Sequence, residues 1–164
     1  MIELTKISDK HRDSMVRLLN NKNVEKWLLQ VPYPYTYEDA DFWINKCQND
    51  YNGNKDFAYA IEKDGTHIGG IGLHKKFEHS AEVGYWVGEE FWGKGFATIA
   101  LNKILEKGFN ELKLTRIHAH VFEGNIASEK LLLKCGFEYE GLLKKCHKKG
   151  EVFYNSKLFA KVID

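Results

Sequence analysis

The stretch Trp92-Gly93-Lys94-Gly95-Phe96-Ala97-Thr98 sets two glycines and a lysine where an alternating apolar run gives way to an apolar pattern of helical period. At such a junction the first helical N–H groups have no partner within the helix, and the helix dipole adds positive potential. Glycines let successive amides turn toward one point, so Gly93 and Gly95 open a pocket for an anion. Lys94 offers a cation, and the small Ala97 keeps the helix start uncluttered. A pyrophosphate suits this pocket, although an isolated G-x-G also marks an ordinary tight turn. A dinucleotide fingerprint does not fit, since Thr98 stands where its third glycine is needed. A P-loop does not fit either, since Gly95 follows the lysine in place of Ser or Thr.

Glu82 lies on the strand before this loop and by alternation shares a face with Gly84 and Trp86. A carboxylate there either looks into a cleft as a proton acceptor or belongs to a solvated strand face. His118 and His120 alternate onto one face of a later strand, a spacing that suits a metal pair or a base. No third ligand of metal spacing is nearby in sequence, so no metal is expected. Cys47, Cys135 and Cys146 are odd in number and lack C-x-x-C spacing, which speaks against a disulfide framework and against a cysteine-rich zinc site. Neither Cys135 nor Cys146 has a recognisable base partner, so neither is read as a nucleophile.

The elements that must carry these residues are legible in outline. Ile2 to Ile7 alternates as a strand, and Asp9 precedes a helical face of Met15, Leu18 and Leu19. Thr36 and Asp39 have capping-box spacing before Ala40, Trp43, Ile44 and Cys47, which recur as one helix face. Strand-like runs at Asp56 to Glu62 and His67 to His74 flank an Asp64-Gly65 hairpin signal, and Ala81 to Val87 is a third. Leu101, Ile104, Leu105, Gly108, Phe109 and Leu112 form a helical stripe, and Arg116 to Phe122 alternates as a strand. Asn125 can cap a helix carrying Leu131 and Leu132, which Gly136-Phe137 stops. Strands near Glu138 to Leu143 and Val152 to Val162 follow. Pro32-Tyr33-Pro34 marks the one irregular insertion expected.

The 164 residues, 43% hydrophobic, suit one compact domain, residues 1–164. With 24 Lys+Arg against 23 Asp+Glu there is no basic excess to favour nucleic acid. The polar start Met1-Ile2-Glu3-Leu4-Thr5-Lys6 and the lack of a membrane-length apolar run point to a cytoplasmic protein with no membrane partner.

The order of elements, with the glycine loop in its place, resembles the GNAT family of acetyl-CoA-dependent N-acyltransferases over nearly the whole chain. The family's loop Gln/Arg-x-x-Gly-x-Gly/Ala maps onto Trp92-Gly93-Lys94-Gly95-Phe96-Ala97, with Trp92 in its first position. The segment "FWGKGFAT" is similar to that of the RimJ/RimL branch, which acetylates protein N-termini. "VPYPYTYEDADFWI" resembles that branch's substrate-side loop and helix, and "GNIASEKLLLKCGF" its Asn-x-x-Ser…Gly-Phe segment.

The resemblance implies an α/β (α+β) GNAT fold. Its mixed, mostly antiparallel twisted sheet has six to seven strands, flanked by about four helices, with the fourth and fifth strands splayed. It implies acetyl-CoA binding by Tyr85, Trp86 and Val87, by the loop from Trp92 to Thr98, and by Asn125 and Ser128. A bulge eased by Gly84 and Gly88 would expose backbone groups to the pantetheine arm. Glu82 matches a position where some members place a general base, and Ser128 a possible general acid. Tyr33, Tyr35 and Glu82 would meet the acceptor amine, most simply a protein or peptide N-terminus. A small-molecule amine acetyltransferase, of polyamines or antibiotics, and a non-catalytic acetyl-CoA-binding module remain open alternatives, and the assembly is a monomer or homodimer.

Overall fold

The computed structural model describes residues 1–52 and 56–164. Among them seven strands form one sheet in the order β1-β2-β3-β4-β5-β7-β6. β1 (Ile2–Lys6), β2 (Asp56–Lys63), β3 (Thr66–Phe77) and β4 (Ser80–Val87) make an antiparallel meander. β5 (Arg116–Phe122) joins it in parallel, then pairs antiparallel with β7 (Val152–Val162), which carries β6 (Glu138–Lys149) on its outer edge. Asp64 and Gly65 both take positive φ between β2 and β3, as a two-residue type I′ hairpin requires.

Alternation sends β2 into two cores. Phe57, Tyr59 and Ile61 meet Ala100, Leu101, Ile104 and Leu105 of α4 (Phe96–Glu106) and Leu132 of α5 (Ile126–Lys134). Ala60 faces the other side, where Met15 and Leu19 of α1 (Arg12–Leu19), Val24 of α2 (Lys22–Glu25) and Ala40, Ile44 and Cys47 of α3 (Tyr37–Asn52) gather. The capping box of α3 forms as expected: Thr36 N–H donates to Asp39 Oδ2 at 2.8 Å and Asp39 N–H to Thr36 Oγ1 at 3.1 Å. Trp43 leaves the expected apolar stripe and is 37% exposed. α5 ends in a Schellman turn, with Phe137 N–H bonded to Leu132 C=O, Gly136 N–H to Leu133 C=O, and Gly136 at φ +90°.

Three differences from the sequence expectations have physical causes. β6 runs to Lys149 because β7 supplies its ladder, although Lys144, Lys145, Lys148 and Lys149 give it no apolar alternation. A register shift within β6 places Lys145 at positive φ, and its N–H donates to Asn155 Oδ1 at 2.8 Å. α2 is a single turn capped by Asn21, too short to leave a periodic pattern. Finally, no bulge interrupts β4 at Gly84, since its register with β3 is continuous from Gly69↔Val87 to Lys75↔Ala81. The strands part on the other side instead: β4 and β5 pair only through Ser80↔Arg116, Ala81↔Ile117 and Glu82↔His118.

Candidate active site

Beyond Glu82 and His118 the facing edges of β4 and β5 separate, and each stays paired only to its outer neighbour. The gap opens into a cleft of about 520 Å³. Its walls include Glu82, Tyr85, Trp86 and Val87 of β4, Trp92, Gly93, Gly95, Phe96, Ala97 and Thr98 of the loop and α4, and Asn125 and Ser128 of α5. Most residues singled out in the sequence therefore meet in one place.

Three do not. Lys94 lies outside the cleft walls and its Nζ donates to Glu90 C=O at 3.2 Å, closing the turn before the loop. Tyr35 is 5% exposed and packs in the core under α1 and α3, because Asn20 clamps its backbone with bonds to both Tyr35 N–H and C=O. Tyr33 is exposed beside Lys22, whose Nζ sits 5.3 Å from the ring centre, and it also lies off the cleft walls. The cleft is lined instead by Trp27, Leu28 and Leu29, which follow α2, and by Phe122, His120 and His147. Trp27 to Leu29 carry no periodic or motif signal, so only the fold identifies them.

At the loop, Gly93 (φ +72°) and Gly95 (φ +79°) adopt left-handed conformations, and a Cβ on either would meet nothing within 4 Å. Gly95 is the N-cap of α4 and no side chain caps that end, so its first amides are left without a side-chain partner. The Trp92 indole N–H donates to Val87 C=O at 2.7 Å and pins the loop to the end of β4. An uncapped helix N-terminus beside an elongated cleft fits a pyrophosphate with an extended arm.

On the opposite wall Asn125 Oδ1 accepts from Ser128 N–H at 3.3 Å, the cap expected of it. The Ser128 hydroxyl lies 2.5 Å from the Tyr85 hydroxyl. Burial pushes the Tyr85 phenol up to about 12, against the opposing effect of the Ser128 hydrogen bond, so Tyr85 keeps its proton. Glu82 Oε2 stands 3.8 Å from Lys76 Nζ, and its Oε1 3.6 Å from His120 Nδ1. Glu82 is thus the third group that the sequence did not place beside His118 and His120. Burial lowers the pKa of both histidines, Glu82 opposing in each case. Cys47 and Cys135 are buried. Cys146 is exposed, off the cleft walls, with Sγ 4.0 Å from His147 Nε2.

A sheet parted at one seam, with a glycine-opened helix end at its mouth and a carboxylate and a hydroxyl pair on opposite walls, is the framework of an acyl-CoA-dependent N-acyltransferase. The chain belongs to the acetyltransferase (GNAT) domain family, whose model matches residues 2–138. It is 30% identical to the spermidine N(1)-acetyltransferase of Vibrio cholerae over 77% of this chain and 72% of that one. It is 28% identical to the ribosomal-protein-serine acetyltransferase of Escherichia coli over 65% and 60%. Among solved structures it superposes on the microcin C7 self-immunity acetyltransferase MccE, in complex with acetyl-CoA and AMP, with TM-score 0.89 and 25% identity over 99% of this chain and 92% of that one. The protein is an acetyl-CoA-dependent N-acetyltransferase with the expected mixed α/β GNAT fold.

Proposed function

We propose that residues 1–164 act as one domain that transfers acetyl directly to a primary amine at a protein or peptide N-terminus. The observation that carries this reading is the wall of the acceptor side: among the described residues Glu82 is the one carboxylate lining a cleft whose other walls include Trp27, Leu28, Leu29 and Phe122. A polyamine carries several cations and calls for several carboxylates, whereas an N-terminus brings a single ammonium group. The nearby Glu25 carboxylate is already paired with Lys149, whose Nζ also binds Glu25 C=O at 2.7 Å and Leu28 C=O at 2.8 Å, so it offers no free carboxylate to a second ammonium group. The ribosomal-protein relative agrees with a protein acceptor, and the spermidine relative marks the competing class.

Acetyl-CoA, when bound, supplies the activated thioester. Gly93, Gly95 and the first amides of α4 would hold its pyrophosphate, and the unpaired edges of β4 and β5, with Asn125, its pantetheine arm. Glu82 accepts the proton that the ammonium must lose before it attacks. Ser128, backed by the protonated Tyr85, holds a proton for the departing thiolate. Trp27, Leu28 and Leu29 exclude water from the acceptor.

Incubation with acetyl-CoA and a panel of N-terminal peptides, polyamines and aminoglycosides, followed by free-thiol release, tests the reading. Peptides should give the highest kcat/KM. Preference for spermidine would reassign the acceptor, and acetyl-CoA binding without turnover on any amine would leave a binding module.

A further inference from the structure

His118 and His120 are two residues apart on β5, so both rings project from one face of the strand. Glu82 is the register partner of His118 on the last rung that joins β4 to β5. The ligand-capable atoms of these three side chains all lie within 4.8 Å of one another. The Nδ1 atoms of His118 and His120 are both buried without a hydrogen-bond partner among the described residues. Buried nitrogens left in this way are uncommon, and one group that would engage two imidazole lone pairs and a carboxylate together is a cation.

We propose that Glu82, His118 and His120 form a binding site for a divalent transition-metal ion of the zinc type. Two imidazoles and one carboxylate are a donor set that zinc takes while keeping a fourth position for water. Zinc–nitrogen bonds of about 2.0–2.1 Å put tetrahedral donors roughly 3.4 Å apart, so the three must draw in by about 1–1.5 Å, within reach of side-chain rotation. Lys76 is the competing cation: its Nζ is 3.8 Å from Glu82 Oε2, and its half-exposed side chain can leave for water. His147, whose ring centre is 5.2 Å from that of His120, borders the site. An ion held here takes the carboxylate assigned above as proton acceptor, so it inhibits turnover. That consequence rests on the proposed role of Glu82, and the binding itself does not.

The test is calorimetric titration of the full chain with Zn²⁺, together with Co²⁺ as a spectroscopic probe. One ion per chain should bind, the Co²⁺ bands should lack thiolate charge transfer, and His118→Ala/His120→Ala should weaken binding by more than the roughly 10- to 100-fold that loss of a supporting contact costs. Acetyl-CoA affinity reports whether that variant is folded, and Glu82→Gln, which keeps the shape of the site, supplies a second weakened variant if it is not. Absence of saturable binding, equal binding by both variants, or a thiolate band from Cys146 would overturn the site. Bound zinc with undiminished turnover supports the site and removes Glu82 from the reaction, whereas no binding alongside a Glu82-dependent turnover leaves the function standing without the metal.

Discussion

At the level of single residues, the proposed proton path joins Glu82 and Ser128, both singled out in the sequence, to a Tyr85–Ser128 contact that was not. Glu82 follows from strand alternation, which sets it on one face with Gly84 and Trp86, and all three line the cleft. Glu82→Gln keeps that shape and removes basicity, so acetyl-CoA affinity should hold by calorimetry while turnover at saturating amine falls by ~10²- to 10⁴-fold. The partnership of Tyr85 with Ser128 spans 43 positions, and nothing local in either segment announces it. Tyr85→Phe keeps the ring and deletes the hydroxyl. Loss of one neutral hydrogen bond, about 0.5–1.5 kcal/mol, limits the fall in cofactor affinity to about tenfold, while the single-turnover rate should drop by ~10²-fold or more if the phenol feeds Ser128 its proton. Equal losses in both would make the pair a binding contact alone.

Among the elements, those defined by local chemistry were readable and those defined by partners were not. The Asp64-Gly65 hairpin, the Thr36/Asp39 capping box and the Gly136 stop are written in a few neighbouring residues. The lysine-rich half of β6, the single turn of α2 and the burial of Tyr35 depend on β7, Asn21 and Asn20 respectively. The glycine loop belongs to the first class, and its fit to an anion can be tested by filling it from within. Gly95→Asp puts a carboxylate at the positive end of α4. The left-handed conformation costs roughly 1–2 kcal/mol, and the favourable charge at the helix end returns about 0.3–1 kcal/mol, so the fold should survive with a slightly lower Tm. Acetyl-CoA should then bind far more weakly, because the new anion holds the place of its pyrophosphate. Unchanged affinity in a folded variant would remove the loop from the cofactor site.

For the molecule as a whole, stability toward acid depends on a polar cluster on the face of the sheet away from α4. Burial pushes His67 down to about 4, its Nε2–H donating to Gly69 C=O at 2.8 Å with Ser14 Oγ 2.5 Å from Nδ1. Burial would raise Glu62, but hydrogen bonds from His11, Lys10 and Thr5 hold it at about 2. The unfolded chain therefore takes up protons first in both cases, with His67 weakening the fold as pH drops from 6.5 toward 4 and Glu62 from 4.5 toward 2. At about pH 5 the histidine alone should remove on the order of 2 kcal/mol, a fall in Tm of about 4–8 °C from pH 7 by calorimetry. A Tm that is flat over this interval would mean that His67 charges as readily folded as unfolded. The seam that makes the cleft has its own consequence for how the molecule breathes. Three residue pairs are all that hydrogen-bond β4 to β5, so amide protons facing the gap between Val83 and Val87 on one side and Ala119 and Phe122 on the other have no strand to shield them. Deuterium should enter there early and slow once acetyl-CoA lies along the gap, while the β1–β2 ladder exchanges at the same rate with or without it.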